Sequence, residues 1–305
     1  MPTSPSQLFA PRAALAGRPA ALAATGNLLL LADRRGTLLF WNWPDPPGPA
    51  IAAHGDGGPL AAVGGDLASS GGWDTHLIRW DATSFQPRFS AQPFNGRITA
   101  LGSQGDDLLA AGADRISQPA SPDDAMALQP GRIVRFDRAG NQSELALPVT
   151  GQVRALACGA DWIAALDDAG DDVVVLNSAT GECSVLAAGP ATALAAHNSS
   201  LIVAGQASIL LFPGARGNGH ELARIGAGSA RVLSLLALGD SLFGITSQGV
   251  MRWPGEQRFA REGSGQAVAL AGYPGSLLVL WEDGTLEQRD AHSGDVLRAA
   301  RTPQE

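Results

Sequence analysis

The 305-residue sequence contains no lysine: its 21 basic side chains are all arginine, against 29 acidic ones, and the net charge is −8. An acidic chain without a run of basic residues lacks the positive surface with which proteins neutralise phosphate backbones. We therefore expect no nucleic-acid ligand. Because arginine together with abundant Ala, Gly and Pro is typical of a GC-rich genome, the composition also predicts a bacterial source.

Long apolar runs and cysteines are scarce as well. No apolar run approaches the roughly 18 residues of a membrane span, and the N-terminus lacks the basic start and apolar stretch of a secretory signal. We expect no membrane insertion and a cytoplasmic location. Cys158 and Cys183 are the two cysteines. They are predicted to lie on the innermost and outermost strands of one sheet, too far apart to pair, so both are expected to be free thiols.

A repeat of about forty residues runs through the chain. Each copy begins with small residues ending in Leu or Val, and a turn rich in Gly, Asn or Asp leads to a second apolar run. A third run often ends in a bulky residue, and a weaker fourth segment follows it. The first segments end at Leu22, Val63, Leu101, Leu156, Leu194, Leu235 and Leu270. The third runs end at Trp41, Trp80, Phe136, Leu176, Phe212, Trp253 and Arg289.

Four apolar segments joined by turns predict a four-stranded antiparallel sheet, and radial repetition of such sheets builds a propeller. The sequence thus predicts an all-β fold, a seven-bladed β-propeller of four-stranded antiparallel blades over residues 1–305. The blades are predicted to start near 19, 59, 97, 152, 190, 231 and 266. A leucine-rich horseshoe or a parallel β-helix would have a shorter repeat. The bulky residues that end the third strands are expected to pack against the neighbouring blade.

Two segments are candidates for the outer strand of the last blade. Gln7-Leu8-Phe9-Ala10 precedes the first repeat, as outer strands do elsewhere, whereas Val296-Leu297-Arg298 follows the seventh third strand directly. We favour the N-terminal segment, because joining the two ends of the chain adds stability that an open ring lacks. The C-terminal segment is then expected to add an extra edge or to pack loosely.

The second copy contains SGGWDTHLIRWD, from Ser70 to Asp81, which resembles the WD-repeat family in its length, its Trp-Asp ending and its turn Asp. The seventh copy, WEDGTLEQRDAHSGDVLR from Trp281, matches the same pattern except that Arg289 stands in place of the Trp. The resemblance implies a propeller that presents loops and a channel rim to partner proteins. It also implies a structural hydrogen-bonded set of His, Ser, Asp and Trp, which removes these residues from the catalytic candidates. Copy two offers His54, Ser70, Asp74 and Trp80 for this set.

Loops between second and third strands lie on one face of a propeller, and aromatic and arginine side chains are the usual interface anchors. A tryptophan in a turn is costly to expose without a use, so Trp73 and Trp281 are the strongest candidates. The alternative is that each folds back on its own blade. The predicted interaction face comprises Arg34, Arg35, Trp73, His76, Asp114, Arg115, Gln206, Gln248, Trp281 and Glu282.

Copy three is lengthened by an insertion at 114–131, in the loop between its second and third strands. Its sequence SPDDAMALQP predicts a short helix with Ser121 as the cap and Pro122 in the first turn. Such an insertion either carries binding function or is simply tolerated. The run from Asp167 to Asp172 is interpreted as a solvated acidic turn, because it lacks the ordered ligand spacing of a calcium loop. No zinc pattern is present, so we expect neither a metal nor a cofactor.

These observations predict a non-catalytic scaffold or accessory subunit of a multiprotein complex, with one or more protein partners. No convergent catalytic set is present in the sequence, so we expect no enzymatic activity. One alternative is a sensor that binds a small molecule or peptide at the channel mouth. Another is a quinoprotein-like or lyase propeller enzyme, since DAHSGD and NSATGE resemble quinoprotein repeats. The docking Trp with which those repeats end is missing.

Overall fold

The computed structural model describes residues 10–12, 14–116, 128–168, 172–186, 189–205, 208–212, 223–226, 231–259, 261 and 265–304. Within these ranges there are 29 strands and no helix, hence none that is long and apolar enough to cross a membrane. The strands form seven antiparallel sheets arranged as a seven-bladed β-propeller. Six blades pair their four strands in chain order, and blade one does the same with its second to fifth strands but adds its first strand beside the fifth. The predicted fold class is confirmed.

The chain divides into two compact units. The first consists of Met1–Ala91 and Gly263–Glu305 and holds blades one, two and seven. Blade one contains β1 (Ala10–Arg12), β2 (Pro19–Thr25), β3 (Leu28–Asp33), β4 (Thr37–Asn42) and β5 (Ala50–Ala52). Blade two contains β6 (Leu60–Val63), β7 (Asp66–Ser70), β8 (Leu77–Trp80) and β9 (Pro87–Ala91). Blade seven contains β26 (Ala267–Tyr273), β27 (Ser276–Trp281), β28 (Thr285–Asp290) and β29 (Val296–Arg301).

The second unit, Gln92–Glu262, holds blades three to six. Blade three contains β10 (Arg97–Gln104), β11 (Asp107–Ala113), β12 (Arg132–Phe136) and β13 (Gln142–Leu145). Blade four contains β14 (Val153–Cys158), β15 (Trp162–Asp167), β16 (Val173–Asn177) and β17 (Cys183–Leu186). Blade five contains β18 (Ala193–His197), β19 (Ser200–Ala204), β20 (Ser208–Phe212) and β21 (Ala223–Gly226). Blade six contains β22 (Val232–Leu238), β23 (Ser241–Thr246), β24 (Gly249–Trp253) and β25 (Gln257–Phe259).

The second strands form the centre of the core. Every residue of β3, β15 and β27 is buried, because these strands are covered on both faces and therefore carry near-continuous apolar sequence. Bulky third-strand residues pack against the preceding blade, as predicted. Trp80 packs edge-on against Phe40 of blade one with ring centroids 5.3 Å apart, and Trp253 packs with Ile202 and Ile209 of blade five.

The prediction that the N-terminal segment closes the last blade is wrong. The outer strand of blade seven is β29, which pairs with β28. Strand β1 instead pairs with β5 and adds a fifth strand to blade one; residues 7–9 lie outside the described residues. The hairpin from β28 to β29 closes a short loop, which costs less entropy than bringing the distant N-terminus to the same edge. The chain ends still meet, since Leu15 and Gln304 form a parallel bridge.

The two cysteines lie on the inner and outer strands of blade four and are free thiols, as predicted. Burial raises the pKa of the Cys158 thiol to about 12. Cys158 is therefore protonated and unreactive near neutral pH, whereas Cys183 is exposed.

Candidate interaction surface

Blade two contains a hydrogen-bonded network that connects its outer loop to its core. Trp80 Nε1 donates to Ser69 Oγ over 2.8 Å, and the same hydroxyl lies 2.8 Å from His54 Nε2. The other ring nitrogen of His54 is 3.3 Å from Asp74 Oδ2. The His54 side chain is almost fully buried. The structure thus brings together His54, Asp74 and Trp80 of the predicted set.

The serine in this network is Ser69, and the sequence-based choice of Ser70 is wrong. In the β7–β8 pair, Leu67 lies opposite Trp80. Because side chains alternate along a strand, Ser69 shares the face of Leu67 and points toward Trp80, whereas Ser70 points the other way. The Ser70 hydroxyl is buried, and no partner for it is found among the described residues.

The network fixes the charge of Asp74. Burial raises the pKa of this carboxyl, but the adjacent His54 ring and the hydrogen bonds from the backbone N–H groups of Gly55 and His76 outweigh it, so that the pKa lies below its ordinary value of 3.8. The backbone N–H groups of Gly55 and His76 donate over 2.7 and 2.9 Å. A carboxylate that accepts several hydrogen bonds is stabilised in its ionised form.

Replacing Asp74 with Asn is expected to lower the free energy of unfolding by about 1–2 kcal/mol at pH 7, because hydrogen bonds to the carboxylate are lost. A depressed folded-state pKa contributes stability that is present above the unfolded value, near 3.8, and is lost as pH falls through the folded value. The difference between wild type and Asp74→Asn should therefore shrink below about pH 4. Urea unfolding of both proteins between pH 7 and pH 3 measures this difference in free energy. A difference that is the same at pH 3 as at pH 7 would contradict the depressed pKa of Asp74.

The segment between β5 and β6 joins two loops into one surface. The Asp56 carboxylate accepts from the backbone N–H groups of Trp73 and Asp74 over 2.9 and 3.1 Å. On its other side, the N–H of Gly57 donates to the carbonyl of Arg34 over 3.1 Å. The loop after β3 and the loop after β7 are therefore held next to each other by backbone hydrogen bonds.

The exposed side chains on these two loops form a surface that we call the rim patch: Arg34, Arg35, Trp73 and His76. Trp73 is 38 % exposed, and the other three are exposed as well. Nearby Asp33 is buried, and its carboxylate accepts from backbone N–H groups, among them those of Gly17 and Arg35. With Asp33, Asp56 and Asp74 bonded to backbone groups, the accessible side chains of the patch are aromatic or basic.

Trp281 does not belong to this surface, contrary to expectation. Strand β27 extends through Trp281, whose side chain is 2 % exposed and donates from Nε1 to Glu287 Oε2 over 2.8 Å. The alternative, that this tryptophan folds back on its own blade, is the correct one. Glu282 is half-buried and pairs with Arg18 at 2.7 Å. Since the carbonyl of Arg18 accepts from the N–H of Arg34, this ion pair borders the rim patch.

The remaining candidates lie in the second unit. Asp114 is half-buried, accepts a hydrogen bond from the N–H of Asn95 over 2.7 Å and pairs with Arg132 at 3.0 Å. Arg115 is exposed and bridges to Leu128. Gln248 is exposed. Gln206 and residues 117–127, with the predicted short helix, lie outside the described residues.

The sequence reasoning missed a set of β-bulges on the inner strands. In five blades the pairing of first and second strands shifts by one residue near the start of the first strand. An extra residue in a bulge is left unpaired, which re-aims its side chain. Each bulge lies opposite the last residues of the second strand, and the loop to the third strand begins directly after these residues. The bulged residues are Ala20 and Val268 in the first unit, and Thr99, Arg154 and Leu233 in the second.

No metal site emerges from the described part of the chain. There, no three His, Cys, Asp or Glu side chains group as metal ligands. In the acidic run, Asp167 is buried and accepts from the N–H groups of Thr150 and Gly151, while Asp168 accepts from that of Gln152; residues 169–171 are outside the described ranges. The inner strands of the second unit line a cavity of about 280 Å³, whose walls are mostly Ala and Leu.

No protein-family model and no curated protein matches this sequence. Solved structures do resemble the fold, among them the crystal structure of the computationally designed Ika8 protein, with a TM-score of 0.66. That likeness covers 96 % of this chain and 91 % of the other at 18 % identity, so it concerns the fold alone. Since 1478 chains of solved structures match, similarity of fold does not select among functions, and the function has to be argued from surface side chains.

Proposed function

We propose that this protein is a WD-repeat-like propeller that acts as a non-catalytic platform for a partner protein, which it binds through the rim patch. The observation that carries the proposal is the fixed exposure of Trp73. Its backbone is held by Asp56, and two exposed arginines stand on the adjoining loop. Tryptophan and arginine are the residues that most often dominate binding energy at interfaces, and a rigid loop loses little entropy on binding.

The WD-repeat assignment is supported by blade two. A network of Asp, His, Ser and Trp side chains runs from the loop that presents Trp73 to the buried Trp80, which matches the structural set that the resemblance implies. In this role the His, Ser and Asp side chains hold the loop in place. A bacterial, cytoplasmic protein is the setting we propose, on composition alone.

The rim patch also limits the chemistry of the partner. Its accessible groups are an indole, an imidazole and two guanidinium groups, so the complementary surface should offer a recess for Trp73 and carboxylates for Arg34 and Arg35. Net protein charge does not decide this, because salt screens charges beyond about 8–10 Å. Contact therefore depends on the charges at the patch itself, where the exposed ones are the two guanidinium groups.

Affinity purification of the full chain from its native host, at native expression, should recover a stoichiometric partner. Binding of that partner to Trp73→Ala should be weaker by roughly 30-fold or more, as expected for the loss of a hot-spot residue. Titration calorimetry with the purified partner measures the change. Val185→Ala is the matched control, since Val185 is 56 % exposed on β17, a strand of the second unit that contributes no residue to the patch. Recovery of the chain alone, or wild-type affinity of Trp73→Ala, would refute the proposal.

A further inference from the structure

A cavity of about 200 Å³ lies between blades five and six, within the second unit. It opens among the turns that join first to second strands and third to fourth strands. Its lining residues are His197, Ile202, Leu211, Ala237, Asp240, Ser241, Leu242, Trp253 and Pro254. A space of this size holds one extended side chain or a single ring.

The floor of the cavity is apolar and its mouth is polar. Ile202, Leu242 and Trp253 are buried, so they present carbon surface that an aliphatic chain covers favourably. Asp240 and His197 stand at the mouth, where Asp240 is exposed. This arrangement suits a ligand with an apolar stem and a polar head.

The charge of the head follows from Asp240. No hydrogen bond or ion pair of its carboxylate is found among the described residues, whereas the neighbouring Ser241 hydroxyl accepts from Arg252 Nε over 3.0 Å. Among the described residues of the lining, Asp240 is the one that is acidic. A carboxylate at the mouth of an apolar cavity favours a cationic head over a neutral or anionic one.

The surrounding turns reinforce this preference. The described turns that join first to second strands and third to fourth strands in the second unit contain six acidic residues and one basic residue, Arg138. The acidic residues are Asp106, Asp137, Asp161, Glu182, Asp240 and Glu256. Carboxylates concentrated at one end of the blades create a negative potential that attracts cations.

We propose that this cavity binds the side chain of an arginine presented by a basic segment of a partner protein. The aliphatic stem lies against Ile202 and Leu242, and the guanidinium pairs with Asp240. Arginine suits the site because its stem covers apolar surface while its planar head donates to a carboxylate. This is a second recognition site, independent of the rim patch of the first unit.

The probe is the peptide acetyl-Gly-Arg-Gly-amide, titrated into the full ¹⁵N-labelled chain, with acetyl-Gly-citrulline-Gly-amide as its uncharged isostere. The arginine peptide should shift the backbone amide signals of Asp240, Ser241 and Leu242 saturably. The citrulline peptide should need about tenfold higher concentration, because the charge-assisted hydrogen bond is lost. Binding of the arginine peptide should also weaken as salt is added.

Asp240→Asn tests the carboxylate, and Asn is tolerated in the Gly-Asp turn that it occupies. In this variant the two peptides should bind with equal affinity. Asp161→Asn, which removes the same charge from a turn outside the cavity, should keep the preference for arginine. Absence of saturable shifts at these amides, equal affinity of both peptides for the wild type, or the same loss in both variants would overturn the proposal. None of these outcomes depends on the rim patch.

Discussion

Replacing Arg289 with Met is expected to lower the free energy of unfolding by about 3–5 kcal/mol, because it leaves a buried carboxylate without its counter-ion. Arg289 is 3 % exposed, and Glu287, on the same face of β28, is 7 % exposed. The two side chains pair at 2.7 Å. Glu287 also accepts from Trp281 Nε1, a neutral donor that does not balance the charge. Urea unfolding at pH 7 measures the change.

The double variant Glu287→Gln, Arg289→Met separates the lost attraction from the cost of an unpaired buried charge. It should be more stable than Arg289→Met alone, since no charge is then left buried. Arg298→Met is the matched control: Arg298 is exposed on the adjacent β29, and its loss should cost no more than about 0.5 kcal/mol. If the free energy of unfolding of Arg289→Met lay within about 1 kcal/mol of the wild-type value, roughly as for the control, a paired role for Arg289 would be contradicted.

Ser69→Ala is expected to lower the free energy of unfolding by about 2–3 kcal/mol. The substitution removes the acceptor of the Trp80 N–H, which is fully buried, and the hydroxyl that faces His54. A buried donor left without a partner costs about 1–3 kcal/mol, and the hydrogen bond to His54 adds to this. Trp80 also packs on Phe40, so the loss should reach the contact between blades one and two.

The neighbouring serine gives the control for this experiment. The Ser70 hydroxyl is buried, and it has no partner in the described part of the chain. Ser70→Ala should therefore be neutral or slightly stabilising, since it removes a buried polar group that gains nothing in the folded state. If Ser69→Ala and Ser70→Ala lost equal free energy of unfolding, Ser69 would have no special role in the network. A larger loss in Ser70→Ala would mean that Ser70 is the serine that bonds to Trp80.

The fold was predictable because each blade repeats a local pattern. Each repeat has an inner strand of small residues, a continuously apolar second strand and a bulky residue at the end of its third strand, with turns between them. A few neighbouring residues suffice to determine such turns and such burial. The pattern also marked Arg289 as the exception among the third-strand residues. That it pairs with Glu287 was accessible in principle, because residues two apart on a strand share a face.

The errors concern residues whose environment depends on register. Trp281 is predicted in the exposed loop between the second and third strands, but β27 extends through it and its side chain is buried. Spacing along the chain favours Ser70, but the alignment of β7 with β8 decides which serine points to Trp80, and it selects Ser69. A shift of one residue exchanges the two faces of a strand, and sequence spacing alone does not resolve such a shift.

By itself, then, the sequence determined the number of blades, the four-stranded meander and the free state of both thiols, since all three follow from a pattern repeated within about forty residues. The tertiary structure alone decided which strand completes blade seven, which serine joins the network and which tryptophan stays exposed. These outcomes depend on how neighbouring strands pair, because strand register and the competition for each sheet edge determine which side chains meet.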